Sequence, residues 1–194
     1  MKPGIRALGV AESYRGERST LAGAVVRADR VVDGFAFDTC AVGGRDASET
    51  VVSLVDDLDR ADVRYLLLAG VAPAWFNFFD LPEIGERVDR PVLSVSFEES
   101  EGLESALREA FEGEALDERL AVYRRQPDRR PVSVGDETVY VRAIGLAESE
   151  AADVVRGFTP EGGRPEPLRV ARLAARAVDD RFVAGADEDS EGPE

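Results

Sequence analysis

Two acidic side chains stand where they could take part in metal-assisted or acid–base chemistry. Glu12 stands at the end of the first predicted strand, directly after Ala11 in the segment GVAES, and Asp46 precedes the first predicted helix in GGRDASET. A carboxylate at a strand end can hold a divalent cation when a second carboxylate approaches from a neighbouring strand. On the residues alone, a solvated charge in the turn SYRGE is the favoured explanation of Glu12. A helix cap, with Glu49 completing a capping box, explains Asp46.

The segment AGVAPAWFNFFD, residues 69–80, places its aromatic side chains directly after an apolar predicted strand. Ligands of open α/β sheets lie beyond the carboxyl ends of strands, so a ring there could stack on a base while Asn77 reads its edge. Packing of a connecting loop accounts equally well for Phe76, Phe78 and Phe79. Trp75 and Asn77 are therefore the predicted nucleic-acid-binding pair of this segment.

Arginines recur at Arg169, Arg172 and Arg176, with Arg164 ahead of them. Spacings of three and four residues place the first three on one helix face, as a cationic ridge suited to phosphate. Arg169 and Arg172 are the predicted nucleic-acid contacts, and pairing with the many carboxylates is an equally good explanation. A second group has the same two interpretations, and its members are Arg124, Arg125, Arg129 and Arg130.

The composition excludes several kinds of chemistry. The 194 residues include no His, which removes imidazole triads and His-ligated zinc. The single Cys40 can form neither an internal disulfide nor a Cys-ligated metal site, and a buried, inert thiol is favoured. The net charge of -15 argues against nucleic-acid binding through the overall field. Any nucleic-acid site therefore has to be a local patch.

The acidic excess, with Lys2 as the only lysine, is typical of proteins that work in concentrated salt and predicts a salt-loving source. No apolar stretch reaches the roughly 18 residues of a membrane span, and the first residues lack the apolar core of a signal peptide. We therefore expect a cytoplasmic protein with no membrane partner. The acidic end of the chain predicts a disordered tail over 183–194, which leaves a single domain over 1–182.

Hydrophobic periodicity predicts an α/β fold with a β-β-β-α-β-α-β core, a mixed sheet with helices on its faces. The predicted strands are 5–11, 19–28, 31–39, 64–72 and 91–97, and the predicted helices between them are 47–60 and 81–88. The first three strands follow one another closely enough for an antiparallel meander. Downstream, the pattern predicts helices over 102–112, 115–126 and 147–157, a hairpin around Gly135 and a C-terminal helix from Pro165 or Pro167.

Four segments resemble the archaeal domain-of-unknown-function family ninety-nine, the endonuclease dU family, which is similar to endonuclease V. They are GVAESYRG, VGGRDASE, LLAGVAPAWFN and above all PEPLRVARLAA, and the resemblance covers roughly residues 5–178. It implies an RNase H-like core and Mg2+- or Mn2+-dependent phosphodiester hydrolysis. The implied partner is single-stranded or deaminated DNA, notably DNA containing deoxyuridine, and the implied context is DNA repair.

The sequence departs from the family pattern at positions expected to bind metal. Relatives that cleave tend to carry two consecutive acids where this chain has Ala11 and Glu12, and an Asp where it has Ala69. Within PLRVAxL they often carry His, where this chain has Arg172. Because alanine cannot coordinate a cation, Glu12 is the one expected metal ligand that remains.

The resemblance therefore makes Glu12 and Asp46 the expected catalytic residues, with Glu49 or Asp80 as other acids that could help. Loss of one member of such a site typically costs several powers of ten in rate. We expect either a strongly weakened nuclease or a protein that has kept the fold and the nucleic-acid groove and lost cleavage. An adaptor that binds another protein is a third alternative.

Overall fold

The computed structural model describes the backbone of residues 1–188 and the side chains of residues 1–181. The strands are β1 (Arg6–Arg15), β2 (Arg18–Arg27), β3 (Val32–Ala41), β4 (Val63–Ala69), β5 (Val92–Ser96), β6 (Arg130–Val134) and β7 (Glu137–Ile144). The helices are α1 (Ala47–Leu58), α2 (Pro73–Phe76), α3 (Leu81–Arg87), α4 (Glu104–Ala110), α5 (Gly113–Arg124), α6 (Glu148–Phe158) and α7 (Glu166–Glu188).

All seven strands form one mixed sheet in the order β3-β2-β1-β4-β5-β7-β6. Strands β1, β2 and β3 form the predicted antiparallel meander. Strand β4 then pairs parallel to β1, and β5 pairs parallel to β4. The hairpin of β6 and β7 joins the far edge through an antiparallel pairing of β7 with β5. The structure thus confirms the β-β-β-α-β-α-β core, the added hairpin and the C-terminal helix.

Strand β1 is longer than predicted, and this changes the position of Glu12. The expected strand ended at residue 11, but the hydrogen-bonded ladder with β2 continues to the pair Arg15↔Arg18. The extension depends on a two-residue turn at Gly16, whose φ of 71° is the left-handed conformation that glycine adopts without strain. Glu12 therefore lies within the strand and opposite Leu21, and it does not begin a turn.

Helices cover the two faces of the sheet. One apolar cluster packs α1, α3, α4 and α5 against the face that carries Leu8, Val10 and Leu21. The other packs α6 and the start of α7 against the face that carries Ala7, Leu67 and Leu93. Helix α7 approaches β1 so closely that a Cβ on Gly9 would lie 2.3 Å from the carbonyl carbon of Pro167. The PEPLRVA segment thus begins its helix directly over the middle of β1.

Three further expectations concern the acidic tail, membrane-spanning helices and the single cysteine. Helix α7 is described through Glu188, so the rest of the predicted acidic tail lies outside the described residues. Within the described residues, no helix is both long and apolar enough to cross a membrane. Cys40 is 2% exposed and free, which confirms the prediction of a buried thiol.

Candidate nucleic-acid interface

Ala11 and Ala69 are neighbours where β4 ends. The parallel ladder pairs Val10 with Leu68, so the next residues, Ala11 and Ala69, lie side by side. Ala11 is 1% exposed and packs with Ala24 and Ala171 of α7, and Ala69 lies against the same cluster. The two positions where the resemblance expects metal-binding acids are thus methyl groups side by side, with Ala11 buried beneath α7 and Ala69 partly buried.

Glu12 faces the opposite side of the sheet from Ala11, because successive strand residues alternate between faces. Its carboxylate accepts a hydrogen bond of 3.1 Å from the Ser19 hydroxyl. Burial raises the pKa of Glu12, while Ser19, the positive charge of Arg172 and the backbone N–H of Ala74 act in the other direction. Negative Asp179 adds to the rise in the pKa. Glu12 is thus a partly buried carboxylate held by fixed donors.

The raised pKa gives the Glu12→Gln variant a pH-dependent stability. A folded-state pKa above the ordinary value means that protonated Glu12 favours folding at low pH, and that this contribution is lost as the pH rises through the folded-state pKa. We expect Glu12→Gln to unfold at a higher temperature than the parent protein at about pH 7.5. This difference in the unfolding midpoint should become smaller towards about pH 4. A lower midpoint for the variant near neutral pH would contradict this expectation.

Asp46 and Asn77 are brought together at the start of α1. Asn77 is fully buried, and its amide donates 2.8 Å and 2.6 Å hydrogen bonds to the Ala41 carbonyl and the Asp46 carboxylate. Its side-chain oxygen accepts a 3.0 Å bond from the N–H of Ala47, the first residue of α1. The Asp46 carboxylate also accepts from the Ala41 N–H. The base-reading role of Asn77 stays a prediction, and the structure shows its amide engaged within the protein.

The capping box predicted at Asp46 is wrong. Asp46 is the residue that precedes α1, but its side chain makes no capping hydrogen bond. Its carboxylate faces back to β3, and the buried Asn77 oxygen satisfies the first helical N–H instead. Glu49 forms an ion pair with Arg87 of α3. The buried amide thus replaces the local cap because it reaches the helix end from another segment.

Asn77→Ala should lower the free energy of unfolding by about 2 kcal/mol, because it leaves the buried Ala47 N–H without its partner. Urea denaturation followed by circular dichroism measures this change, with Asn77→Ser as a smaller truncation that retains a hydroxyl. An unfolding midpoint equal to that of the parent protein would show that the amide network contributes little.

Trp75 lies next to this network and is 48% exposed. Its backbone φ of 55° follows an Ala74 φ of 44°, an uncommon left-handed turn for residues other than glycine. That turn directs the Ala74 carbonyl to the Gly43 N–H at 2.7 Å and packs the indole across Gly43. The indole also contacts the ring of Phe111, with the centroids 4.9 Å apart. A half-exposed ring is therefore packed against Gly43 and Phe111, one residue after Ala74, whose backbone N–H reaches Glu12.

Arg164, Arg172 and Arg176 form a cationic cluster where β4 and β5 end. Burial and the nearby positive charges of Arg172 and Arg176 lower the pKa of Arg164. The Arg164 guanidinium lies 4.0 Å from the centroid of the Phe97 ring. Among the described side chains, none of these arginines pairs with a carboxylate within 4.0 Å. In a protein this acidic, such a cluster is suited to an external anion.

Arg169 differs from the other arginines of α7. Its guanidinium holds Glu166 through hydrogen bonds of 2.7 Å and 2.5 Å on the exposed side of the helix. The single ridge predicted from spacing is therefore divided, with Arg172 and Arg176 towards the cluster and Arg169 in a surface ion pair. A nucleic-acid contact at Arg169 stays a prediction.

The second arginine group is largely paired, as its alternative explanation proposed. Arg124 binds Glu104, Arg125 binds Asp80 and Arg130 binds Asp128. Arg129 donates instead to backbone carbonyls and stacks on Tyr140, with 3.9 Å between guanidinium and ring centroid. Three of these arginines thus have carboxylate partners in the fold.

A groove extends from the arginine cluster across the ends of β4 and β5. One part, of about 260 Å³, is lined by Ala69, Phe97, Arg164 and Arg172. A second part, of about 240 Å³, shares Gly70, Ser96 and Glu98 with the first. Its further lining residues are Ser94, Tyr123, Arg129 and Arg142. The groove therefore carries arginines at both ends, with Gly70, Ser96 and the carboxylate-bearing Glu98 between them.

Sequence reasoning missed three side chains that shape this region. Asp179 is 6% exposed and accepts a 3.0 Å hydrogen bond from Ser13 of β1. It follows Arg172 by seven residues, two helical turns, and that spacing could have placed it on the same side of α7. Ser19 and Arg142 lie on strands that meet the site only through sheet pairing, so no local pattern indicates them.

The described residues do not by themselves complete a Mg2+ site. Mg2+ prefers several oxygen ligands in near-octahedral geometry. The described residues contain no group of three or more His, Cys, Asp or Glu side chains able to hold a metal. Glu12 accepts from Ser19, and Asp46 accepts from Asn77 and Ala41, so both carboxylates have protein partners. The Mg2+ or Mn2+ dependence stays a prediction from the resemblance.

Comparison with solved structures defines the class of fold. Human ENDOV matches with a TM-score of 0.63 and 16% identity, over 92% of this chain and 86% of that chain. The endonuclease V of Ciona intestinalis, solved with a 24mer DNA containing an inosine followed by a ribo-adenosine, matches with a TM-score of 0.60 and 13% identity, over 92% of this chain and 87% of that one. The protein thus has the RNase H-like fold of endonuclease V.

Sequence comparison then identifies the family. The family model for Endonuclease dU matches residues 3–179, so the chain belongs to the endonuclease dU family. The UPF0215 protein of Pyrobaculum calidifontis is 33% identical over 175 residues, which cover 88% of this chain and 95% of that protein. A protein of unknown function from Archaeoglobus fulgidus matches with a TM-score of 0.80 and 25% identity, over 90% of this chain and 98% of that chain.

Proposed function

We propose that this member of the endonuclease dU family binds DNA containing deaminated bases, deoxyuridine in particular, along the groove at the ends of β4 and β5. In this proposal Arg164, Arg172 and Arg176 neutralise backbone phosphates, and Trp75 stacks on an unpaired base. Cleavage is far weaker than in members with the full set of acids, because Ala11 and Ala69 supply methyl groups in place of carboxylates. Any residual hydrolysis depends on Glu12, with Asp46 and Mg2+ or Mn2+.

The observation that carries the proposal is that one edge of the sheet has arginines without carboxylate partners and alanines at the expected metal-binding positions. The arginines to which the proposal assigns phosphate binding lie there and have no carboxylate within 4.0 Å among the described side chains. The two strand positions expected to bind metal have packed together as alanines beneath Ala171. This arrangement supports a site that binds phosphate without the carboxylates that a metal site would need.

The test uses the purified protein with single-stranded and duplex DNA, each with and without deoxyuridine. Gel retardation in concentrated salt measures binding, and the formation of cleaved DNA in the presence of Mg2+ or Mn2+ measures cleavage. We expect retention of deoxyuridine-containing DNA with little cleavage, and less cleavage still in Glu12→Gln. Failure to retain any of these DNAs at working salt would overturn the proposal, and efficient cleavage unaffected by Glu12→Gln would overturn its assignment of Glu12.

The acidic surface is compatible with the proposed DNA binding when the protein works in concentrated salt. Salt weakens phosphate contacts steeply, so a protein in concentrated salt needs several arginines gathered at one place. We propose that the excess of acids keeps the protein hydrated in such a medium and is separate from the groove. Unfolding on dialysis to low salt is the result expected for a salt-adapted protein, and full stability there would contradict it.

A further inference from the structure

Two phenylalanines lie exposed on β3, at the edge of the sheet. Phe35 is 47% exposed and Phe37 is 48% exposed, and their rings stack with the centroids 6.2 Å apart. Phe35 pairs with Ala24, which packs against Ala171 of α7, so both rings lie on the α7 side of the sheet. Helix α7 itself packs over β1 and β2. An exposed, hydrophobic edge strand of this kind is a surface that pairs with another chain.

The backbone of β3 turns half of its hydrogen-bonding groups towards this open edge. The Val42 N–H donates to the Glu17 carbonyl at 2.9 Å, so even-numbered residues over 34–42 direct their backbone groups towards β2. The odd-numbered residues of the same stretch therefore face away from β2. Among the described residues, no strand pairs with β3 on that side.

Backbone groups at both ends of this edge already have partners within the chain. The Asp33 carbonyl accepts a 3.1 Å hydrogen bond from Arg60. Towards the other end, the Thr39 N–H donates at 2.7 Å to the carboxylate of the preceding aspartate. The residues between them that face outward are Phe35 and Phe37, each with one N–H and one carbonyl. A long incoming strand would therefore meet occupied groups, whereas a short symmetric pairing fits.

We propose that a second copy of this chain binds this edge, with the two β3 strands antiparallel about a two-fold axis at Ala36. Phe35 of one copy is then opposite Phe37 of the other, and each such pair exchanges both of its N–H···O=C hydrogen bonds. This arrangement uses every outward backbone group of the two phenylalanines. The sheets of the two copies join into one, and the phenyl rings of both copies fill the space between the two α7 helices.

Buried area and charge favour a second copy as the partner. A phenylalanine side chain has about 200 Å² of surface, so the half-exposed rings of both copies contribute roughly 400 Å². That area, with the backbone hydrogen bonds, suits a weak dimer with a dissociation constant of about 1–100 µM. The nearest residues of β3 on the α7 side are Val32 and Thr39, which carry no charge. Concentrated salt screens the acidic surface elsewhere.

The test measures the mass of the full-length protein by light scattering in concentrated salt, over micromolar to millimolar protein concentrations. We expect a concentration-dependent dimer, and Phe35→Ser with Phe37→Ser should raise its dissociation constant at least about 30-fold. Tyr14→Ser, at a ring of β1 that is 46% exposed, is the matched control and should leave the constant within about threefold. Each variant is first compared with the parent protein by thermal unfolding.

Two outcomes of this measurement would overturn the proposal. A parent protein that stays monomeric at millimolar concentration would leave the edge to a partner other than a second copy. Equal dimerisation of the parent protein and the double serine variant would place the dimer contact elsewhere. The measurement needs no DNA, so failure of DNA retention in the groove would leave its result unaffected.

A cysteine on the proposed axis tests the register of the pairing. Ala36 meets its own copy in a non-hydrogen-bonded pair, where the Cα atoms lie about 4.5 Å apart and a disulfide fits. Ala36→Cys should therefore cross-link two chains when a mild oxidant is added. Asp38→Cys places the two Cα atoms about 13 Å apart along the strands and should not cross-link, and neither should the parent protein, whose Cys40 is buried. Cross-linking of Asp38→Cys as readily as Ala36→Cys would overturn the proposed pairing.

Discussion

The double substitution Ala11→Asp with Ala69→Asp is expected to raise Mn2+-dependent cleavage of deoxyuridine-containing DNA about 100-fold or more over the parent protein. The two alanines are neighbours on adjacent parallel strands, so two aspartates there would add oxygen donors at the edge of the groove that Arg164 and Arg172 line. Cleavage is measured by single-turnover kinetics with protein in excess, so that weakened product release does not hide the change.

Burial makes a matched control necessary for this variant. Ala11 is 1% exposed against Ala171, so an aspartate costs stability and α7 has to shift slightly to admit it. The Ala11→Asn with Ala69→Asn pair has the same size and lacks the charge, and it should gain no metal-dependent cleavage. Equal cleavage by the aspartate and asparagine pairs, with both proteins folded, would show that the absence of acids at these two positions does not limit cleavage.

Arg172→Glu is expected to weaken binding of deoxyuridine-containing DNA by about tenfold to 100-fold and to reduce the slope of log affinity against log salt by about one or more. Arg172 lines the groove and lies close enough to Arg164 to lower its pKa, so reversal of its charge removes one phosphate contact and opposes the next. Fluorescence anisotropy over a range of salt concentrations measures both quantities.

Two other charge reversals complete this experiment. Arg108→Glu changes the net charge by the same amount on α4, where the arginine pairs with Glu104, and it should leave the affinity within about threefold. Arg169→Glu tests the single ridge predicted from spacing. A loss as large as that of Arg172→Glu would favour the whole ridge, whereas a small loss would favour the groove, because Arg169 is already held by Glu166. Equal affinities for all three variants would exclude α7 from DNA binding.

Local patterns sufficed for most elements of the fold. Alternation and the short spacing between the first three strands predicted the meander, and the period of three to four residues predicted α1. The first strand was predicted to end at residue 11, four residues too early. The tight turn at Gly16 lets β1 continue to Arg15, so that Glu12 and Ser13 also pair with β2. The error at Asp46 has a different origin. The capping box predicts that Glu49, three residues away, helps to cap α1. In the structure the side-chain oxygen of Asn77, which follows β4, accepts the hydrogen bond from the first helical N–H at Ala47.

The candidate site depended more strongly on non-local contacts. Glu12 and Asp46 were singled out separately by sequence, and the structure places both close enough to Cys40 for their charges to act on it. Burial, first, and these two charges raise the pKa of Cys40 to about 12. That thiol stays protonated and unreactive at neutral pH, in agreement with the inert role predicted for it. No spacing rule predicts that β3 carries a cysteine between the two acids.

The sequence by itself determined which chemistry is available. It has no imidazole, it has alanines at the two positions where the family resemblance implies acids, and apart from the single lysine its cations are arginines. Residue identity fixes these properties whatever the fold. Only the tertiary structure decided that Ala11 meets Ala69, that Glu12 faces away from them, and that Arg172 lines the groove while Arg169 is paired at the surface. Those outcomes follow from the parallel pairing of β1 with β4 and from the rotation of α7 against the sheet, which bring together residues far apart in the chain.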